Sequence, residues 1–318
     1  MKIIYNDIFL KHDTGHHPEN RERLNGFFDF KPTEIIDGRP FIDLVHNGQY
    51  IADVEQKCQL GIGLDMDTCC SEHSFVAATA AVGATIMASE SGDFALVRPP
   101  GHHAYPGKGT GFCIFNNIAI ATQNLVNQGK RVLIVDFDGH FGDGTSSIFY
   151  DTDKVMFMSM HQHPAFPNSG HPGNIGTGAG EGFNINIAMP AGSGDDIFMD
   201  AIKTFLPVAK QFNPDVVAVS AGFDSHKSDM LLDLRISVDS YYKIGFLLSK
   251  NFNNIFAVLE GGYVPEVLKL GVENFIAGIN KEPQVHSDKI SDTDIKIMDI
   301  YEHYCNTLIL KLRKYWQI

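Results

Sequence analysis

The chain has no basic excess: 25 Lys and Arg stand against 38 Asp and Glu in 318 residues, a formal charge of −13. A general nucleic-acid binder needs a basic patch, so direct nucleic-acid binding is not expected. The acidic balance is compatible with a cationic substrate and does not require one. No run approaches the roughly 18 consecutive apolar residues that cross a bilayer, so no membrane span is expected. The apolar start Met1–Leu10 is cut by Asn6 and Asp7, which does not match a signal peptide. Cysteines are few and irregular (Cys58, Cys69, Cys70, Cys113 and Cys305), with no CxxC pair. Such a set speaks against a disulfide frame and for a reducing, cytoplasmic setting with free thiols. Both GxGxxG and GxxxxGK[ST] are missing, and the glycines of the long segment His161–Gly182 (173, 176, 178, 180 and 182) fit neither pattern. A nucleotide loop is thereby set aside.

What is present is strand–helix alternation. Short apolar runs at Lys2–Tyr5, Phe94–Val97, Arg131–Val135, Val155–Ser159, Asn184–Ile187, Asp215–Ser220 and Ile255–Leu259 read as buried strands. Helical periodicity lies between them at Ser74–Glu90, Asn116–Gln128, Asp195–Gln211, Val238–Asn251 and Val264–Ile279, with a terminal amphipathic helix over Asp292–Tyr315. Alternation of this kind predicts an α/β chain with a mainly parallel sheet between two helical layers. There is no internal repeat, and no linker divides the chain before the polar loop Lys281–Asp288. Residues 1–318 are therefore read as one domain.

Polar chemistry gathers where these strands end. After Arg131–Val135 comes Asp136-Phe137-Asp138-Gly139-His140-Phe141-Gly142-Asp143-Gly144, with three carboxylates and a histidine in eight positions. In open α/β sheets ligands sit beyond the carboxyl ends of strands. Buried negative charge at that density calls for a cation. Asp138 and His140 flank one residue, so in extended backbone both side chains point the same way. Asp224, in Ser220–Asp224 after another strand, completes an N/O set with room for a fourth ligand, the pattern of a catalytic zinc site; Mn²⁺ or Fe²⁺ would accept the same donors. His102 and His103, in a Pro/Gly-held turn after Phe94–Val97, are candidates for proton transfer near neutral pH. Glu260-Gly261-Gly262-Tyr263 ends a fourth strand. Four such clusters at four strand ends describe one pocket.

In order, RPPGHHA (Arg98–Ala104), GFCIFNN (Gly111–Asn117), DxDxHxGDGT from Asp136, SxHQ (Ser159–Gln162), SAGFD and EGGY resemble the zinc-dependent histone deacetylase family, within the arginase/deacetylase fold. The match runs from about His12 to Tyr263. His16–Glu19 with Arg23-Leu24, and Asp224–Leu231, are more similar to the class II and bacterial branch than to class I. The resemblance implies a three-layer α/β/α domain on a central, mainly parallel eight-stranded sheet. It implies one catalytic Zn²⁺ on Asp138, His140 and Asp224, with His102 paired to Asp136 and His103 to Asp143. His103 takes the larger share as general base and acid, and Tyr263 donates to the substrate carbonyl. Phe112 and Phe166 would wall a channel for an aliphatic stem, with Leu231 and Gly262 also at the substrate. One or two structural K⁺ ions are implied. The inner would lie at Asp136, Asp138, His140, Ser159 and Met160, and the outer at Phe149, Thr152, Val155 and Phe183.

The expected activity is removal of acetyl or other acyl groups from acetyl-lysine or a similar acylated amine by metal-activated water. Acetylpolyamines or another small amide are the alternative substrates. A binuclear arginase-type hydrolase and a non-catalytic acyl-binding protein are the remaining readings. Three positions depart from the family pattern. Phe141 replaces a usual second histidine, Met230 stands where Pro is common, and Leu231 occupies a gatekeeper place where a polyamine deacetylase carries Glu. Leu231 tilts the substrate toward acyl-lysine. His12, His16, His161 and His163 are read as loop hydrogen-bonding or rim residues, and Cys113 as packing. Asp65 or Asp67 is a candidate contact to substrate backbone. The compact chain suggests a bacterial enzyme of open oligomeric state.

Overall fold

Among residues 1–27 and 29–318, which the computed structural model describes, seven strands form one sheet: β1 (Ile3–Ile4), β2 (Phe94–Ala95), β3 (Val132–Asp136), β4 (Val155–Gln162), β5 (Asn184–Met189), β6 (Val216–Ala221) and β7 (Ile255–Leu259). Every ladder is parallel, in the order β1-β2-β7-β6-β3-β4-β5. The residue pattern had offered seven apolar runs, and those are the strands found. The described residues form seven strands where the family resemblance implied eight. β3, β4, β5 and β7 are buried at every residue. Parallel strands covered on both faces lose the in–out alternation and become unbroken Val/Ile/Met runs, which is how they read in the sequence.

The covering helices are α1 (Gly48–Leu60), α2 (Ser74–Ser91), α3 (Asn117–Asn127), α4 (Asp143–Ile148), α5 (Asp195–Phe212), α6 (Val238–Asn251), α7 (Pro265–Asn280) and α8 (Ile295–Leu312). Their ends follow local chemistry. Asn47 caps α1 by accepting from the Tyr50 amide at 2.9 Å, and Gly61 closes it at φ +65°, where a side chain would be strained. The terminal helix is shorter than its periodicity suggested because Asp294 caps it, accepting from the Lys296 amide at 2.9 Å.

Topology sets the site. From β3 the chain steps outward to β4 and β5, then returns to the other side of β3 for β6 and β7. The order reverses between β3 and β6, and such a switch point opens a crevice at the carboxyl ends of the strands. Asp136 ends β3 in register with Ser159 of β4 and Ser220 of β6.

Candidate active site

Beyond β3 the backbone turns so that its amides hold its own carboxylates. The Asp138 amide donates to Asp136 Oδ1 at 3.1 Å and the His140 amide to Asp138 Oδ1 at 2.9 Å. From the facing loops, the Gly261 amide donates to Asp138 Oδ2 at 2.7 Å, and Asp224 Oδ1 accepts from the Gly139 amide at 2.8 Å. The oxygens of Asp138 and Asp224 converge on one imidazole nitrogen: His140 Nδ1 lies 3.3 Å from Asp138 Oδ1 and 2.7 Å from Asp224 Oδ2. All three side chains are buried, with ligand atoms within 4.8 Å of one another. Two buried carboxylates aimed at one point require positive charge between them. A divalent cation fits the set of two oxygens and one nitrogen. The cradle is tight: a Cβ on Gly222 would lie 2.0 Å from Asp138 Oδ2, which explains the glycine of the SAGFD motif.

The adjacent histidines face different carboxylates. His102 Nδ1 is 3.1 Å from Asp136 Oδ2, His103 Nδ1 is 2.7 Å from Asp143 Oδ1, and the rings are 4.0 Å apart. Burial opposes charge on His102, yet the negative Asp138 and Asp136 outweigh it and hold its pKa well above the usual value. Burial pushes His103 down to about 4, and the charge on His102 adds to the shift, outweighing the attraction of Asp143. The two imidazoles are thereby pushed in opposite directions, His102 toward keeping a proton and His103 toward releasing one. Burial raises the Tyr263 hydroxyl well above its usual pKa, so it stays a proton donor.

A cavity of about 390 Å³ leads down to these groups, lined by His103, His140, Phe112, Phe166, Leu231 and Tyr263 among others. The Phe112 ring is 5.7 Å from that of Tyr263, and Phe166 is 5.1 Å from His103. Phe112 sits at φ +68°, a strained conformation for a bulky residue that turns its ring inward. Its neighbour Gly111, at φ +55°, leaves room for His103, which a Cβ would meet at 2.6 Å. A larger recess of about 640 Å³ lies at the opposite end of the sheet, but its lining carries no comparable chemistry.

Several supporting residues were not singled out from the sequence. Glu260, fully buried, accepts from the amides of Gly101 and His102 at 2.7 and 3.1 Å and from Ser220 Oγ at 3.0 Å, tying the histidine turn to the Tyr263 turn. Arg23 donates to the carbonyls of Gly262 (2.7 Å) and Glu260 (2.6 Å), and its guanidinium lies 4.9 Å from the Tyr263 ring centre. Glu19 in turn holds Arg23 at 3.0 Å and Arg98 at 2.5 Å. Both arginines sit inside quoted motifs; what the string did not show is that they meet.

His12 bonds Ser74 Oγ at 2.7 Å and lies 3.4 Å from Glu19; His161 is held between Ser159 Oγ and the Gly170 carbonyl, both at 2.9 Å. Phe141 packs on Phe157 and His161, with ring centres 6.0 and 4.7 Å away, so the replaced histidine is a packing position. Asp67 lines the cavity, whereas Asp65 accepts from the amides of Asp67 and Thr68. Met230 is almost fully exposed. Of the outer potassium set, the Phe183 carbonyl accepts from the Phe157 amide at 2.9 Å and Thr152 Oγ1 from the Lys154 amide at 3.2 Å. Among the described residues one further metal-competent group occurs, His102 with Cys113 and Glu260. Its His102 Nδ1 and both Glu260 oxygens are already engaged.

Residues 9–279 match the histone deacetylase domain family. A probable deacetylase of Archaeoglobus fulgidus is 36% identical over 318 residues, covering 89% of each chain. A probable deacetylase of Methanothermobacter thermautotrophicus is 38% identical over 302 residues, covering 89% of this chain and 91% of its own. The crystal structure of the HDA15 HD domain superposes with a TM-score of 0.88 at 27% identity, covering 99% of this chain and 97% of that one.

Proposed function

The chain belongs to the histone deacetylase family, and from that premise we propose that it hydrolyses acyl-lysine or a closely similar acylated amine at a Zn²⁺ site formed by Asp138, His140 and Asp224. The reading rests on one observation: the buried three-ligand cluster, two His–Asp pairs and a protonated Tyr263 meet at the base of an aromatic-walled cavity. Zn²⁺ suits two carboxylates and an imidazole, and when bound it polarises a carbonyl and makes a water more acidic.

The protein's own groups do the rest. Phe112 and Phe166 hold an apolar stem, leaving the amide as the one polar group at the base. Asp143 fixes His103 through Nδ1, so Nε2 faces the cavity. From there it takes the proton of the attacking water and returns it to the departing amine. His102, held by Asp136 through Nδ1, orients the second imidazole beside His103. Tyr263 donates its hydroxyl to the carbonyl oxygen as negative charge grows there. We place K⁺ at Asp136, Asp138, Ser159 and the carbonyls of His140 and Met160, with a second ion among the backbone of Phe149, Thr152, Val155 and Phe183. Support comes from the register of Asp136 against Ser159. Five free thiols favour a reducing compartment such as the cytoplasm.

Leu231 at the cavity wall favours a peptide-borne lysine, since it offers no charge to a second ammonium. Amine release from an acetyl-lysine peptide and from acetylated polyamines, measured side by side on zinc-loaded protein, tests this. Faster release from the peptide is expected. Preference for the polyamines overturns the substrate class, and release from neither overturns the deacylase reading.

A further inference from the structure

The Asp143 side of the His103–Asp143 pair does not end in packed core. Behind it lies a second cavity of about 370 Å³, separate from the substrate cavity and lined by Tyr105, Asp143, Ser147 and Asn174 with other neutral residues. Of these, only Asp143 carries charge at neutral pH, and Ser147 and Asn174 are exposed at the opening. The pair therefore lies between two recesses, with His103 facing one and Asp143 the other. A carboxylate that bordered water freely could swing and exchange partners, and its hold on the imidazole would slacken.

Tyr105 stands at that border. Its hydroxyl donates to Asp143 Oδ2 at 2.8 Å, while Oδ1 holds His103 Nδ1 at 2.7 Å. Both carboxylate oxygens are thus committed, and Asp143 is only 7% exposed despite lining the cavity. The tyrosine is itself anchored: its amide donates to the Lys108 carbonyl at 2.8 Å, in the turn that follows the histidines. The first turn of α4 presses on the same segment, since a Cβ on Gly144 would lie 2.5 Å from the Ala104 carbonyl oxygen. Nothing else in the second cavity donates to Asp143 among the described residues.

We propose that Tyr105 is a positioning residue for the deacylation, the third member of a His103–Asp143–Tyr105 chain, which locks the Asp143 carboxylate and shields it from solvent in the second cavity. It acts through Asp143 and does not touch substrate. The inference rests on the base role proposed for His103.

Tyr105→Phe keeps the ring and removes only the hydroxyl. Since a hydrogen bond to a charged acceptor is lost, kcat is expected to fall about tenfold, with KM and bound metal unchanged. A second readout is independent of turnover. The His103 Nδ1 proton should give a downfield proton NMR line, assigned by its loss in Asp143→Asn, and that line should move or broaden in Tyr105→Phe. A merely structural tyrosine would leave it in place. Unchanged kcat with an unmoved line overturns the inference, as does a loss confined to KM, which would put Tyr105 at the substrate. His103→Ala separates the two levels. If that variant turns over at the wild-type rate, the base role itself falls; if it is inactive while Tyr105→Phe is unaffected, only the role of Tyr105 falls.

Discussion

At the scale of single residues, what a string reveals is chemistry at fixed spacing. Asp138 and His140 were legible from their spacing just past a strand end, although the chain turns after Asp136 and does not run on extended; that turn is what brings both to Asp224. Tyr263 was legible only through the resemblance: nothing in Glu260–Tyr263 alone distinguishes a hydroxyl donor from a core tyrosine. Its setting now makes a definite demand. Burial keeps the hydroxyl protonated, and the ring is pinned between Phe112 and Arg23. Its hydrogen bond should therefore be realised chiefly in the transition state. Tyr263→Phe is expected to lower kcat by about 10²–10³-fold with little change in KM. A steady-state comparison in which KM rises while kcat holds would make it a binding residue instead. Tyr105 was not legible as a site residue, and Glu260 was legible only as a member of its strand-end cluster and not in its supporting role, because each acts through partners 38 to 159 positions away.

At the scale of elements, the strands and most helices were readable because burial imposes a period. The helix α1 escaped that reading. It buries only Tyr50, Val54 and Cys58, four residues apart, in an otherwise polar segment. The segment before it was harder still: Asp7–Lys11 and Arg21–Phe27 are short 3-10 turns without a usable period. Charge holds them in place. Glu19, fully buried, bridges Arg23 and Arg98, and thereby fixes these turns to the strand end that carries the histidines. Burial alone would raise the Glu19 pKa, but Arg98 and His12 hold it well below its ordinary 4.5. A depressed folded-state pKa contributes stability that is fully present above the unfolded value and is lost as pH falls through the folded one. Glu19→Gln leaves two buried guanidinium groups short of a counter-charge, so it should cost about 3–5 kcal/mol at pH 7. The cost should shrink as the wild type is acidified below pH 4.5. Urea unfolding at pH 7 and in acid checks both. An equal cost at each pH would show that packing, and not the carboxylate charge, holds the segment.

At the scale of the whole molecule, the metal-competent cluster is also a fastening. Its ligands come from the loops after β3 and β6, its amide donors from the loop after β3 and the turn after β7, and the histidine turn follows β2. Four strand ends on both sides of the topological switch converge on two like-charged carboxylates. A divalent ion there would relieve their repulsion in the folded state alone, and ligand binding restricted to the folded state raises its stability. At a free concentration about 100 times Kd the gain is about 2.7 kcal/mol. Spread over the unfolding entropy of a chain this long, it amounts to about 4 °C in Tm. Scanning calorimetry of zinc-loaded protein should therefore show a higher Tm than chelator-treated protein, with the difference restored by Zn²⁺. Asp224→Ala should show no such difference, and a response equal to that of the wild type would move the ion elsewhere. The same scans test whether residues 1–318 unfold as the single domain we propose. All ladders belong to one sheet in which β1 and β2, from the start of the chain, join through β2 to β7 near its end, so neither half can open without exposing the other. One transition, shifted as a whole by the metal, is the outcome that topology requires. Two transitions, of which only one responds to the chelator, would divide the chain at the sheet's switch point.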